Sequence, residues 1–411
     1  MTDDRVLDEN SPWLTVIGLG EDGLAGLGDE AKRRIEAAAV IFGGARHLEL
    51  AAPLIAGEKH VWLSPFERSV EAVLALKGSP VVVLASGDPF FFGVGVTLSR
   101  HVPVSDMRVL PAPSSFSLAA SRLGWALQDA VTVSLHGRPV DLIRPHLQPG
   151  SRILTLTSDE MGPEALARLL AEIGFGRSRL TILEALGGAR ERVTSLIAED
   201  FSLGGIDPLN ICAIEVVAGE GARVLPLAGG LDDGLFEHDG QITKREVRAL
   251  TLSALAPRHG ECLWDIGAGS GSICIEWMLR DPAMKAVAIE GSPERALRIR
   301  RNATAFGVPG LIVVEGTAPA ALAGLPRPDA VFIGGGGSED GVMAAAIAAL
   351  LPGGRLVANA VTTQMEAVLL DHHARLGGSL IRIDIARASP VGTMTGWRPA
   401  MPVTQWSWVK P

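Results

Sequence analysis

Apolar strand-like runs alternate with helix-patterned segments along almost the whole chain, and the alternation breaks once, at residues 227–241. Such alternation restricts a chain to α/β folds built on largely parallel sheets. Before the break come LTVIG (14–18), a helical pattern near 28–39, PVVVLAS (80–86), SRILTLT (151–157), a helical pattern near 163–173, RLTILEAL (179–186) and NICAIEV (210–216). The break itself, LAGGLDDGLFEHDGQ, is rich in Gly and Asp, holds no sustained period and reads as a linker. Afterwards the pattern restarts. TKREVRALTLSALA (243–256) predicts a helix opened by a capping box, Thr243 with Glu246, and stopped by Pro257. Seven strand-like runs follow, CLWDI, AVAIE, LIVVE, DAVFI, RLVANA, SLIRIDIA and TQWSWVK. The expectation is a first α/β domain over 12–226 and a seven-stranded, Rossmann-like domain over 236–411.

The 411 residues are 47% hydrophobic and 20% charged, enough apolar content to core two or three domains. A formal charge of -9 argues against a nucleic-acid footprint, which needs clustered Lys and Arg, so no nucleic-acid partner is expected. The start, MTDDRVLDENSP, lacks the pattern of a signal or transit peptide, and no apolar run reaches membrane-spanning length. A cytoplasmic protein without a membrane partner is expected. Cys212, Cys262 and Cys274 form no CxxC pair, and His372 and His373 lack ligand spacing and read as surface residues. No metal site is expected.

The segment WDIGAGSGSICIEW (264–277) reads as a buried strand, a glycine loop and the start of a helix. Glycines there let backbone approach a ligand closely. A dinucleotide fingerprint needs a glycine where Ser272 stands; the spacing is G-x-G-x-G over Gly267, Gly269 and Gly271, with Asp265 just before it. That pattern favours S-adenosylmethionine over a nicotinamide cofactor. The next strand ends in Glu290, whose carboxylate can accept both hydrogens of a ribose diol, or can simply cap the helix opening at Ser292-Pro293. After the fourth strand comes IGGGGS (333–338), without the side-chain acceptors that would serve methylation of an exocyclic amine. A carbon nucleophile fits better, since the protein then mainly positions the reactants.

The first half carries VIGLGEDGLAGL (16–27), LASGDPFFFGVG (84–95), PAPSSFSLAA (111–120), SLHGR (134–138) and EALGGARERV (184–193). In this order they resemble the tetrapyrrole methylases over roughly residues 12–220. The resemblance implies two α/β subdomains with S-adenosylmethionine in the cleft between them, bound by Gly18, Gly20, Asp88, Gly93 and Ser115. In the second half, GQITKREVRAL, DIGAGSG, AIE, EGTAP and PDAVFIGGG resemble the decarboxylating corrinoid methyltransferases. That resemblance implies cofactor contacts from Thr243, Gly267, Ala268, Gly269, Ser270, Gly271, Glu290 and Ala318.

Together the resemblances imply two cofactor sites per chain, a precorrin macrocycle as substrate, and a homo-oligomer. They imply methylation at meso carbons 5 and 15, with loss of the ring C acetate carboxyl. No acid or base is assigned from them. Substrate carboxylates call for cations, and Lys244, Arg245, Arg382, Arg387 and Arg398 are the candidates, each equally readable as a solvated charge. The tail ARASPVGTMTGWRPAMPVTQW (386–406) reads as a flap over the macrocycle or as an oligomer contact. Three other readings compete: an RNA methyltransferase with an accessory domain, a scaffold in which one half binds cofactor without chemistry, and a nicotinamide oxidoreductase.

Overall fold

The computed structural model describes residues 12–411, so all of the acidic start except Pro12 lies outside the described residues. The chain divides into two compact units. One holds the described residues up to Val140 together with Gln148–Arg223; the other holds Asp141–Leu147 and Val224–Pro411.

In the first unit, β1 (Leu14–Leu19), β2 (Val40–Gly43), β3 (Glu58–Val61), β4 (Val81–Ser86) and β5 (Met107–Leu110) form one sheet in the order β3-β2-β4-β1-β5. Its pairings are all parallel. All six β1 residues are buried, as expected of a central strand covered on both faces. A second sheet joins β6 (Ala130–Ser134), β7 (Arg152–Leu156), β8 (Arg179–Glu184), β9 (Arg192–Ile197) and β10 (Asn210–Glu215) in the order β6-β7-β10-β8-β9. Here β6 and β7 run parallel and the other pairs antiparallel.

The second unit holds β11 (Cys262–Ile266), β12 (Lys285–Glu290), β13 (Ile312–Glu315), β14 (Ala330–Ile333), β15 (Arg355–Ala360), β16 (Ser379–Ile383), β17 (Ala386–Val391), β18 (Met394–Pro399) and β19 (Val403–Val409). Seven of these form a sheet in the order β13-β12-β11-β14-β15-β19-β16. The strands from β13 to β15 are parallel, and β19 inserts antiparallel between β15 and β16. The chain leaves β11 toward β12 and β13, then returns to β14 on its other side. That reversal is a topological switch point, where open α/β sheets bind ligands at the carboxyl ends of the strands.

Three local expectations are corrected. Residues 227–241 are not a free linker: the segment is anchored in the second unit's core by Leu231 and Phe236, 1% and 5% exposed. The fully buried Arg248 holds them, donating to the Leu231 carbonyl, to Asp233 (3.1 Å) and to Glu276 (2.6 Å). Glu276 in turn accepts the backbone N–H groups of Gly230 (2.7 Å) and Leu231 (2.8 Å). The helix after this segment runs Arg245–Leu255 with Lys244 at its N-cap and no side-chain cap, so the Thr243–Glu246 box does not form. The Thr243 carbonyl accepts from Arg248 instead. His372 does not stand on open surface; its ring lies 5.7 Å from that of Trp406, and its Nδ1 is 2.9 Å from the Val368 carbonyl.

The tail beyond β16 forms a two-stranded ribbon, β17 with β18, carrying the exposed Val391, Met394 and Trp397. Among the described residues, no helix is long and apolar enough to cross a membrane, and no group of three His, Cys, Asp or Glu is placed to hold a metal.

Candidate functional site

In the second unit a cleft of about 650 Å³ opens at the carboxyl ends of β11 and β14. Its floor is the glycine loop after β11. A Cβ on Gly267 would lie 2.7 Å from the Gly335 carbonyl oxygen, and the φ of +74° also favours glycine; the two loops can approach only without side chains. Thr243, Lys244, Gly267, Ala268, Gly269, Glu290 and Ala318 line this cleft. Ser270 and Gly271 do not. The Ser270 side chain is buried behind the loop, and the missing Gly271 side chain would strike Ile299.

Two carboxylates give the cleft its electrostatic character. Glu290 Oε2 accepts the Gly269 N–H (2.8 Å) and Oε1 the Ser292 N–H (3.0 Å). Each oxygen keeps a further lone pair, enough to accept a diol. Ser292, not Glu290, caps the helix Pro293–Ala305, accepting from the Arg295 N–H. Asp265 was singled out only by its place before the glycines. It is 1% exposed, lines the cleft, and has no cation beside it, its hydrogen bonds coming only from Cys274. Burial, with a smaller push from the Glu290 charge, raises its carboxyl to about 7.

Of the candidate cations, Lys244 and Arg387 line the cleft, and Arg245, Arg382 and Arg398 do not. Arg382 faces Glu366 at 3.3 Å. Arg398 stands on β18 directly opposite Arg387, which pairs with Glu246. Sequence reasoning missed Arg295, Glu339, Asn359 and Met401 on the cleft wall. Arg295 bonds Asp239 at 2.8 Å and holds that carboxyl well below the usual carboxylate range. Nothing in a helical run of arginines marks which one faces a cleft.

The first unit holds its own cleft, of about 920 Å³, between the ends of β1 and β4 and the second sheet. Gly20, Asp88, Gly93 and Ser115 line it; Gly18 does not. A Cβ on Gly18 would lie 1.9 Å from the Gly87 carbonyl oxygen, so this glycine lets β1 pack directly on the turn after β4. Asp88 shapes that turn by accepting the Phe90 N–H (2.8 Å). Ser114 caps the helix Ser115–Leu123, accepting the Ser117 N–H at 3.1 Å.

A polar cluster in this cleft went unread in the sequence. His47 Nε2 lies 2.7 Å from Arg46 Nη2 and 2.9 Å from Ser86 Oγ. Arg46 also pairs with Glu21, which faces Arg190 at 3.4 Å. Burial first, and the Arg46 charge second, lower His47 to about 4, so it is neutral at pH 7. Arg100, His136 and Arg138 line the same cleft. These residues lie far apart in sequence and meet only because parallel strands end side by side.

Two family models match the chain: Tetrapyrrole (Corrin/Porphyrin) Methylases over residues 14–200, and Precorrin methyltransferase domain over residues 234–410. A Sinorhizobium protein named precorrin-6Y C(5,15)-methyltransferase [decarboxylating] is 77% identical over 400 residues, 97% of this chain and 97% of that protein. Two relatives from Salmonella typhimurium match less than half of the chain each. The cobalt-precorrin-7 C(5)-methyltransferase is 29% identical over 197 residues, 47% of this chain and 96% of that protein. The cobalt-precorrin-6B C(15)-methyltransferase (decarboxylating) is 33% identical over 166 residues, 39% of this chain and 85% of that protein.

Proposed function

The chain belongs to the precorrin-6Y C(5,15)-methyltransferase (decarboxylating) family, and from that premise we propose that its two units share one conversion, each holding its own S-adenosylmethionine. It is a methyltransferase of cobalamin biosynthesis acting on a precorrin. The first unit methylates carbon 5. The second removes the ring C acetate carboxyl as carbon dioxide and methylates carbon 15. The observation that carries this reading is the near full-length identity to the Sinorhizobium enzyme. The half-length Salmonella enzymes, one named for C(5) and one for C(15), support the division.

The second cleft fits the cofactor on its own chemistry. Asp265 is a buried carboxylate with no cation beside it, suited to an ammonium group, and Glu290 has lone pairs left for a ribose diol. When bound, S-adenosylmethionine supplies an electrophilic methyl group on a sulfonium. Gly316, Thr317 and Ala318 would hold its adenine. Gly334, Gly335 and Gly336 leave room for a flat ring, and Lys244 and Arg387 meet its carboxylates. Val247, Ile383 and Val403 keep water from the reacting carbon. The electrons of the departing carboxylate pass into the conjugated macrocycle.

In the first unit, Gly20, Asp88, Gly93 and Ser115 hold the cofactor, and Arg100 and Arg138 meet substrate carboxylates. We further take the protein to be a cytoplasmic homo-oligomer with neither nucleic-acid nor membrane partner. Product analysis tests the function. Precorrin-6Y with excess S-adenosylmethionine should gain two CH₂ and lose one CO₂, releasing two molecules of S-adenosylhomocysteine per macrocycle. One release per macrocycle, or retention of the carboxyl, would overturn it.

A further inference from the structure

Methylation of a meso CH carbon leaves one proton to be removed. The carbon's π electrons form the new C–CH₃ bond while the methyl–sulfur bond breaks and its electron pair stays on sulfur. The macrocycle is then a cation with both hydrogen and methyl on one tetrahedral carbon. Conjugation returns only when a base takes that hydrogen as a proton and the C–H electron pair re-enters the ring. The balance is substrate plus methyl donor giving methylated ring, thioether and one proton, with no oxidant or reductant.

Two histidines line the first unit's cleft, and their hydrogen bonds separate them. Arg46 can only donate, so His47 Nε2 must accept from it at 2.7 Å, and the His47 proton sits on Nδ1. Its lone pair is taken. His136 is the reverse case. Its Nδ1 lies 3.2 Å from the Thr157 carbonyl oxygen, which can only accept. A proton is therefore on Nδ1, and in the neutral ring Nε2 carries the lone pair, on the far side.

The backbone fixes this pose. The Leu135 N–H donates to the Leu156 carbonyl at 2.9 Å, and the Gly137 N–H to Ser158 Oγ at 3.0 Å. Gly137 takes a φ of +66°, which turns the chain just after the end of β6. The Arg138 N–H closes the turn onto the Leu135 carbonyl at 3.0 Å. The carboxylates of the cleft have other roles: Glu21 faces Arg46 and Arg190, and Asp88 holds the Phe90 N–H with one oxygen and is among the residues given to the cofactor.

Resting on the reading of the first unit as the carbon-5 methylase, we propose that His136 Nε2 is the base that takes the meso proton from carbon 5 after methyl transfer. The turn 134–138, held by Thr157 and Ser158, delivers it in the right tautomer. Positioned bases of this kind contribute about 10²–10⁴-fold.

The test uses the full-length enzyme and the variant His136→Gln, with precorrin-6Y carrying deuterium at carbon 5. His136 is exposed, so the variant should melt with the wild type and bind S-adenosylmethionine equally well. Its carbon-5 methylation should fall by about 100-fold or more in kcat with little change in KM. A deuterium isotope effect absent from the wild type should appear, and added imidazole should restore part of the rate to His136→Gly. Carbon-15 methylation and carbon dioxide release should be unaffected. A wild-type carbon-5 rate in His136→Gln would overturn the proposal. So would a slowed variant with no isotope effect and no imidazole rescue. A wild-type enzyme that never methylates carbon 5 would instead sink the reading of the first unit on which the proposal rests.

Discussion

The two clefts arrange their charged groups in opposite ways. In the second unit a carboxylate is left buried with no cation beside it, at Asp265, and a second, Glu290, is only half used. In the first, the charged groups pair with one another: Glu21 lies between Arg46 and Arg190, and His47 Nε2 is held by Arg46 and Ser86, with only the neutral ring's Nδ1 left unpartnered. An unmet buried charge costs folding free energy and is kept where a ligand offsets it. A satisfied network costs little and instead fixes the shape of a cavity. The second cleft should therefore respond to cofactor and pH far more than the first.

The largest expected effect breaks that pairing outright. Gly269→Arg puts a side chain at a φ of +60° in the glycine loop, 3.2 Å from the Gln241 carbonyl at its Cβ. Calorimetric titration with S-adenosylmethionine should show two sites in the wild type and one in this variant. Loss of both sites would mean that the clefts are not independent.

Next in size is Arg248→Met. It strands Glu276 in the core and should destabilise the second unit by about 3–5 kcal/mol, leaving the first unit's transition in place. Differential scanning calorimetry reads both. The same contacts set where the chain can be cut. A fragment of residues 224–411 should melt well above one of 236–411, which lacks Leu225 and Leu231 of the core.

Asp265→Asn sharpens the electrostatic contrast. The carboxyl is raised from 3.8 to about 7 in the folded protein, so the folded state binds the extra proton between those values. Its stability therefore falls as pH rises through that window, and the amide removes the loss. At pH 8 the ligand-free variant should be more stable, by up to about 4 kcal/mol, and the gap should close near pH 4. Its cofactor affinity at the second site should drop. An unchanged pH–stability profile would show that Asp265 is not the unmet charge of this cleft.

The smallest effect separates two arginines. Arg387→Gln should raise the KM for the macrocycle, because Arg387 lines the cleft. Arg382→Gln should change neither KM nor kcat, since Arg382 lies outside the cleft in an exposed ion pair with Glu366.

The same contrast governs how much could be read from residues alone. The seven strands of the second unit's sheet were legible because its central strands are buried on both faces and read as unbroken apolar runs, as in CLWDI and AVAIE. In the first unit β2, β3, β5, β6 and β9 escaped: four are edge strands, where exposed or half-buried residues break the apolar run, and β2 (VIFG) is mostly buried but only four residues long. Residues 227–241 misled because Gly and Asp mark a packed turn and a free linker alike. Only Arg248 and Glu276, remote in sequence, decide between them. The glycine loops were visible as spacing. The Arg46–His47–Ser86 cluster was not, because nothing local distinguishes an arginine that will meet a serine forty residues away.

The division of labour is tested most directly by the mass of the macrocycle after exhaustive turnover by full-length Asp88→Arg. This change removes the acceptor of the Phe90 N–H and fills the first cleft, leaving the second untouched. The expected product has gained one CH₂ and lost one CO₂ relative to precorrin-6Y. A product carrying both methyl groups, or one that keeps its carboxyl, would contradict two units each performing its own methylation.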